Sequence, residues 1–238
     1  MGFRLKAFLK NRLEQNVFTG LPLTIFVIIF LILLGTFVGI TDSIVSSSPM
    51  VTFDNSFANF LYQFRTPFLA QVFYVITNFA NQITVIILGV IALIYLYIKK
   101  ELAYLYALTL VFLGTEASVY LIKIFINRPR PIADIAYYIE TSPSFPSGHS
   151  TIAIAFFGFV TYYLLCHVSG NNKKSILILI GALLIALIGF SRLYLEVHFL
   201  SDVLGGFLIG GLWLVVGITF RERHFYNDSL KKGKNPGI

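Results

Sequence analysis

The chain has 238 residues, 57% hydrophobic and only 12% charged, with a mean hydropathy of +0.80, which excludes an ordinary soluble domain and points to a bilayer. Its net charge of +7 is no argument for nucleic acid, because the basic residues sit in short clusters between apolar runs, where they set topology. One cysteine, Cys166, excludes an intrachain disulfide, gives no zinc-site spacing and is read as packing.

The pattern predicts an all-α polytopic membrane protein: six transmembrane helices plus short amphipathic outer helices. A single membrane domain over 21–220 lies between an N-tail, 1–20, and a basic tail, 221–238. The basic N-tail (Arg4, Lys6, Lys10, Arg12) precedes the apolar run Leu21 to Ile40. That run is long and lacks a small-residue cleavage site after it, so it reads as an uncleaved first span. Phe53, Phe57, Phe60, Leu61 and Phe64 then recur at helical spacing with Asp54, Asn55, Asn59 and Gln63 opposite, the pattern of an amphipathic helix on the membrane surface. Thr66-Pro67 reads as a helix start.

Phe68 to Ile98 is too long for one upright span, and Asn78, Asn81 and Gln82 mark a polar break in it. A short outer helix is expected before the break and the second span after it. Lys99-Lys100 closes that span; the third runs from Leu102 to Ile126, the fourth from Ser147 to Cys166, the fifth from Ser175 to Tyr194 and the sixth from Val197 to Phe220. Of the 18 Lys and Arg residues, all but Arg65, Lys123, Arg128, Arg130 and Arg192 fall in the two tails or the two short loops on the same side. The positive-inside bias therefore makes the termini cytoplasmic and turns those five residues outward.

Three ionisable clusters collect at that outer face. Lys123, Arg128 and Arg130 flank the end of the third span, Pro146-Ser147-Gly148-His149 opens the fourth, and Ser191-Arg192 precedes His198 and Asp202. Ser147 suits a helix cap, and Gly148 lets backbone N–H groups approach an anion where the helix dipole favours negative charge. A helix from about Val197 would put His198 and Asp202 on one face, so that the carboxylate orients the imidazole and leaves its other nitrogen free to attack. Together they describe a phosphate site with a nucleophile and a proton donor. No carboxylate cluster suggests a metal.

Lys123 with six residues before Arg130-Pro131, then Pro146-Ser147-Gly148-His149, then Ser191-Arg192 with five before His198 and three before Asp202, closely resembles the three-part signature of the type 2 phosphatidic acid phosphatase family. At roughly one in twenty per fixed position the full set is very specific. The similarity extends more loosely from about Phe53 to Trp213. It implies a six-helix membrane phosphatase that acts on lipid phosphates with neither metal nor cofactor. By the same resemblance His198 is the nucleophile, Asp202 orients it and His149 protonates the leaving oxygen, while Lys123, Arg130, Ser147, Gly148 and Arg192 hold the phosphoryl oxygens. The expected partners are a lipid substrate and the bilayer, in a bacterial plasma membrane; nothing in the signature bears on oligomeric state.

Undecaprenyl diphosphate, phosphatidylglycerophosphate and phosphatidic acid all fit, because the signature reads the phosphate and not the tail. Selectivity is expected in the loop Ile132 to Phe145, with Asp134, Tyr137, Tyr138 and Glu140, and in the outer helix from Phe53. A phosphotransferase, a non-hydrolytic phospholipid carrier and a soluble vanadate-binding halide oxidase are the alternatives. Glu116, inside the third span and about two turns below Lys123, either tunes the site or makes an interhelical hydrogen bond. Arg128 either reaches a second phosphate or is a loop charge, and Glu196 is expected at a solvated interface. His167 and His224 fall at the cytoplasmic ends.

Overall fold

The computed structural model describes residue 14 and residues 17–47, 49–131 and 136–231. Arg4, Lys6, Lys10, Arg12, Lys232, Lys234 and Asp134, used in the charge and loop readings above, lie outside these. Among the described residues there are eight helices and no strand: α1 Leu21–Val45, α2 Pro49–Gln63, α3 Pro67–Thr77, α4 Gln82–Ile98, α5 Leu102–Ile126, α6 Gly148–His167, α7 Asn171–Tyr194 and α8 Leu200–Lys231. A π-helical stretch, Ala153–Phe157, lies within α6. Helices α1, α5, α6, α7 and α8 are each long and apolar enough to cross a bilayer. The pair α3 and α4, bent by 42° at a break, makes a sixth crossing if counted as one broken span. Their outward faces, with Ile32 on α1, Ile83 on α4 and Leu179 on α7 all exposed, are apolar surface for lipid.

Local chemistry sets the boundaries. Thr66 caps α3, its hydroxyl accepting from the Leu69 N–H at 3.3 Å, with Pro67 in the first turn. The Asn81 side chain accepts from the Ile83 N–H at 2.9 Å and so restarts the chain as α4 after the break. Asn127 ends α5 in the left-handed conformation, φ 43°, a shape asparagine tolerates better than most residues.

The structure differs from the sequence reading at several points: α7 begins at Asn171, not Ser175, so Lys173 and Lys174 are helical. The last helix starts at Leu200, not Val197, because the chain first turns back through Leu195 to Phe199, with Glu196 at φ 48°. His198 therefore lies in that turn and not on the helix. The same helix continues to Lys231, so Arg221, Arg223 and Lys231 are helical. In α2 one residue of the polar face departs from the sequence reading: Asn55, Asn59 and Gln63 are exposed as expected, but Asp54 is buried with Ala58 and Leu61, while Phe53 and Phe60 stay exposed. A membrane protein gains by showing phenylalanine to lipid and closing its polar group inside. Cys166, read as packing, is exposed.

Helix α8 is central, packed on α1, α5 and α6. Its contact with α6 is backbone-close: a Cβ at Gly206 would stand 2.6 Å from the Ser147 carbonyl oxygen, and one at Gly210 2.2 Å from that of Thr151. Only glycine permits that approach. It brings the first turns of α6 and α8 together, over a core of Leu108, Val111, Ile152, Phe156, Phe159 and Ile188.

Candidate active site

The C-terminal ends of α5 and α7 and the N-terminal ends of α4, α6 and α8 meet at one end of the bundle. There a cavity of about 440 Å³ is lined by Lys123, Arg130, Glu140, Gly148, His149 and His198, with Asn81 and Gln82 from the α3–α4 break and Glu116 beneath. The turn after α7 carries His198 inward, 2% exposed. Its Nε2 lies 3.1 Å from Nη1 of Arg130. A guanidinium donates only, so Nε2 is the acceptor and the ring proton is assigned to Nδ1. Burial first, then the guanidinium groups of Arg192 and Arg130, holds this imidazole well below the usual 6.5, and it is neutral.

Nδ1 faces Asp202, but its distance to Oδ2 is 3.5 Å, beyond an ordinary hydrogen bond, and among the described residues Nδ1 has no hydrogen-bond partner. The expected orienting contact is thus an approach and not a bond. The Asp202 carboxylate is engaged elsewhere, accepting from Arg128 Nη1 at 2.7 Å, from the Phe199 N–H at 2.8 Å and from the Ser144 hydroxyl. Arg128 in turn donates to Asp54 at 2.7 Å and to Ser201 at 2.7 Å, and its guanidinium lies 4.5 Å from the centre of the Phe199 ring. Arg128 is 6% exposed. It is neither a second phosphate ligand nor a loop charge: it is a buried tie that joins α2 to the first turn of α8 through two carboxylates. Asp54, Ser144 and Ser201 belong to this network, and no motif in the sequence flagged them.

Arg130 donates from Nε to the Ser142 carbonyl at 2.7 Å and from Nη1 to the Val197 carbonyl at 2.6 Å, and its Nη2 lies 2.6 Å from Glu140. Lys123 is fastened to the Pro143 carbonyl. Gly148 and His149 border the cavity at the start of α6, where the first N–H groups precede any intrahelical bond. Ser147 does cap the helix, but it is fully buried, its hydroxyl meeting Ser150 at 3.0 Å and its N–H spent on the Asp202 carbonyl at 3.0 Å. It stands behind the cavity and not on its wall. Arg192 is likewise fully buried behind it, tied to Thr77 at 2.9 Å, to the Tyr138 hydroxyl and to Glu140. Both were expected to hold phosphoryl oxygens; here they brace the groups that line the cavity.

Glu140 bridges Arg130 and Arg192. Burial alone would raise its carboxyl, but the two guanidinium groups outweigh that and hold it at about 2. It is therefore a carboxylate in the place where an incoming anion would seek the same arginines. Glu140→Gln is expected to tighten inhibition by inorganic phosphate or orthovanadate about tenfold, since one like charge is removed. Weaker inhibition would instead make Glu140 the group that organises the arginines for the anion.

Glu196 is fully buried and paired with Arg65 at 2.5 Å, while its Oε1 has no partner among the described residues. It is not at a solvated interface, because the tight turn after α7 folds it under α3. Burial holds its carboxyl up at about 7 against the pull of Arg65. The folded state thus binds this proton more tightly than the unfolded chain. The stability it contributes is complete below the ordinary 4.5 and is lost as pH rises through about 7. Glu196→Gln is expected to flatten the fall in melting temperature between about pH 5 and about pH 8; an unchanged slope in detergent would contradict this. Among the described residues Glu116 makes no interhelical bond: its exposed side chain lines both the cavity and an apolar groove below it.

The fold and this buried polar end define the class: an all-helical polytopic membrane protein. The PAP2 superfamily model matches residues 100–226, more than half of the chain and every signature position, and the chain belongs to that family. Among curated proteins it is 41% identical over 109 residues to phosphatidylglycerophosphatase B of Bacillus subtilis, covering 44% of this chain and 52% of the relative. It is 33% identical over 150 residues to human dolichyldiphosphatase 1, covering 58% of this chain and 60% of the relative. The matched region thus spans between half and two thirds of these relatives. Among solved structures, the B. subtilis transmembrane PAP2-type phosphatidylglycerolphosphate phosphatase superposes with a TM-score of 0.75 at 29% identity, covering 82% of this chain and 96% of that one. Aquifex aeolicus LpxE gives 0.56 at 26% identity, covering 70% and 94%.

Proposed function

We propose that this chain is a membrane lipid phosphatase that removes the terminal phosphoryl group of a lipid phosphate or diphosphate through a phosphohistidine on His198. The observation that carries the reading is the neutral His198 imidazole, whose Nε2 lone pair meets Arg130 at the wall of a cavity that also holds Lys123 and His149. In the reaction Nε2 attacks the terminal phosphorus, and the bond from it to the leaving oxygen breaks, the lipid's own oxygen in a monophosphate and the bridging oxygen in a diphosphate. His149 gives the leaving oxygen its proton. The Nδ1 proton then faces Asp202, and closing their 3.5 Å gap offsets the positive charge that develops on the ring. Water next attacks phosphorus with His149 as base, and His198 leaves unchanged. Lys123, Arg130 and the N-terminus of α6 stabilise the charge that gathers on the phosphoryl oxygens. Uncatalysed hydrolysis of phosphate monoesters is so slow that enzymes accelerate it by up to ~10²¹-fold, and charge stabilisation is the largest source of such acceleration.

A lipid is the fitting substrate because an apolar groove of about 260 Å³ between α4 and α5 shares Val85, Ile86, Phe112 and Glu116 with the polar cavity. It gives a tail a lateral route to the bilayer. The positive-inside pattern of the sequence supports an outward-facing site and cytoplasmic termini. The matched relatives are, by name, phosphatases of a glycerolipid phosphate and of a polyprenyl diphosphate. Phosphatidylglycerophosphate, phosphatidic acid and undecaprenyl diphosphate are therefore the substrates to compare. The test is phosphate release by the purified protein in detergent with EDTA. Release from at least one of the three supports the reading. No release from any, by folded protein, overturns it, and turnover that appears only with a lipid or sugar hydroxyl present would mark a phosphotransferase.

A further inference from the structure

Glu116 is the unusual group in this chain. It lies on α5 seven residues before Lys123, two helical turns and roughly 10 Å deeper on the same face. It lines both the polar cavity and the apolar groove, beside Val85, Ile86 and Phe112. The other polar side chain on the groove, Thr109, spends its hydroxyl on the Leu105 carbonyl at 2.9 Å. Glu116 is exposed, and among the described residues no hydrogen bond or ion pair engages it. A carboxyl at this depth is costly, and packing asks nothing of it, since an apolar side chain would fill the same place. What it does offer is hydrogen bonding at the point where phosphate chemistry gives way to hydrocarbon.

We infer that Glu116 is a specificity-determining residue that hydrogen-bonds the polar linker between phosphate and hydrocarbon, and so favours glycerolipid phosphates over polyprenyl phosphates. The two substrate classes differ at this level. In a glycerolipid, ester carbonyls or a free hydroxyl follow the phosphate. In a polyprenyl phosphate the hydrocarbon begins at once, and nothing there meets a carboxyl. The group serves in either protonation state: the acid donates to an ester carbonyl, and the carboxylate accepts from a hydroxyl. The inference rests on the phosphatase reading of the cavity above it.

The test compares phosphatidic acid with a polyprenyl monophosphate, two monoesters that differ in linker and tail, using the full chain in detergent. Glu116→Leu is expected to lower the ratio of kcat/KM for phosphatidic acid to that for polyprenyl phosphate about tenfold, the effect of one hydrogen bond. Glu116→Gln, which keeps a donor and an acceptor, should retain most of the ratio. Glu116→Ala repeats the test should the leucine variant aggregate. A ratio unchanged within about twofold, including parallel losses on both lipids, overturns the inference. If the wild type releases phosphate from neither lipid, the phosphatase reading is decided separately by the three lipids compared above. The same contrast is then read as the ratio of Kd values for the two lipids in mixed micelles, where an unchanged ratio again overturns the role of Glu116.

Discussion

His198→Ala is expected to reduce phosphate release by at least ~10⁴-fold, and adding His149→Ala is expected to cost little more, because residues that act as one unit are far from additive. The groups placed to hold the phosphoryl oxygens cannot replace this imidazole as nucleophile. Lys123 and Arg130 are cations fixed to the carbonyls of Pro143, Ser142 and Val197, and neither presents a lone pair. His149 alone should fall by less than His198, since an acid contributes about 10² to 10⁴ where a nucleophile opens the whole path. The measurement is kcat on a shared lipid substrate for wild type, both single variants and the double. Losses that multiply would contradict a joint role and place one of the histidines outside the chemistry.

Arg128→Ala is expected to be the most destabilising single change at this end of the bundle. Arg128 separates Asp54 from Asp202, each within 2.7 Å of it and each 1% exposed or less. Removing it leaves two buried carboxylates without their cation, a loss of ~3–5 kcal/mol. For a chain of this size that is a fall in melting temperature on the order of 10 °C. Arg128→Lys should recover only part of it, because an ammonium does not fork to both carboxylates and Ser201. Thermal unfolding in one detergent checks this directly. A raised KM with an unchanged melting temperature would instead return Arg128 to the role of a phosphate ligand.

Much of this was legible in the sequence, for identifiable reasons. The third span, Leu102 to Ile126, reads correctly because Lys99-Lys100 and Asn127 punctuate it at both ends. Thr66-Pro67 and Ser147 announce helix starts through their own side chains. The cavity-lining residues Lys123, Arg130, Gly148, His149 and His198 sit in local motifs that spacing alone picks out. What stayed hidden depends on partners distant in sequence. Asp54 reads as one of the polar face of a membrane-surface helix, and its burial depends on Arg128 and Ser201, 74 and 147 residues away, which no local period reveals. Its partner Arg128 sits beside Arg130, which suggests a second phosphate ligand or a loop charge and gives no sign of the two buried carboxylates. Glu196 and Arg65 are 131 residues apart, and no local pattern connects them. Arg192 and Ser147 were assigned from the signature to the phosphate, whereas folding spends their hydrogen bonds on Thr77, Tyr138 and Glu140 and on Ser150. The onset of α8 was placed three residues early, because a left-handed residue at Glu196 is not signalled by its side chain.

The central claim is that the phosphoryl group passes through His198, and the most direct measurement is to trap it there. Substrate labelled in its terminal phosphate would be mixed with the purified protein and quenched in alkali within the first turnovers, and the protein digested and the label located by mass. A phosphoramidate, stable to base and labile to acid, is expected on the peptide that carries His198, and is expected to be absent from His198→Ala. Label on another residue, or turnover by His198→Ala at the wild-type rate, would contradict it.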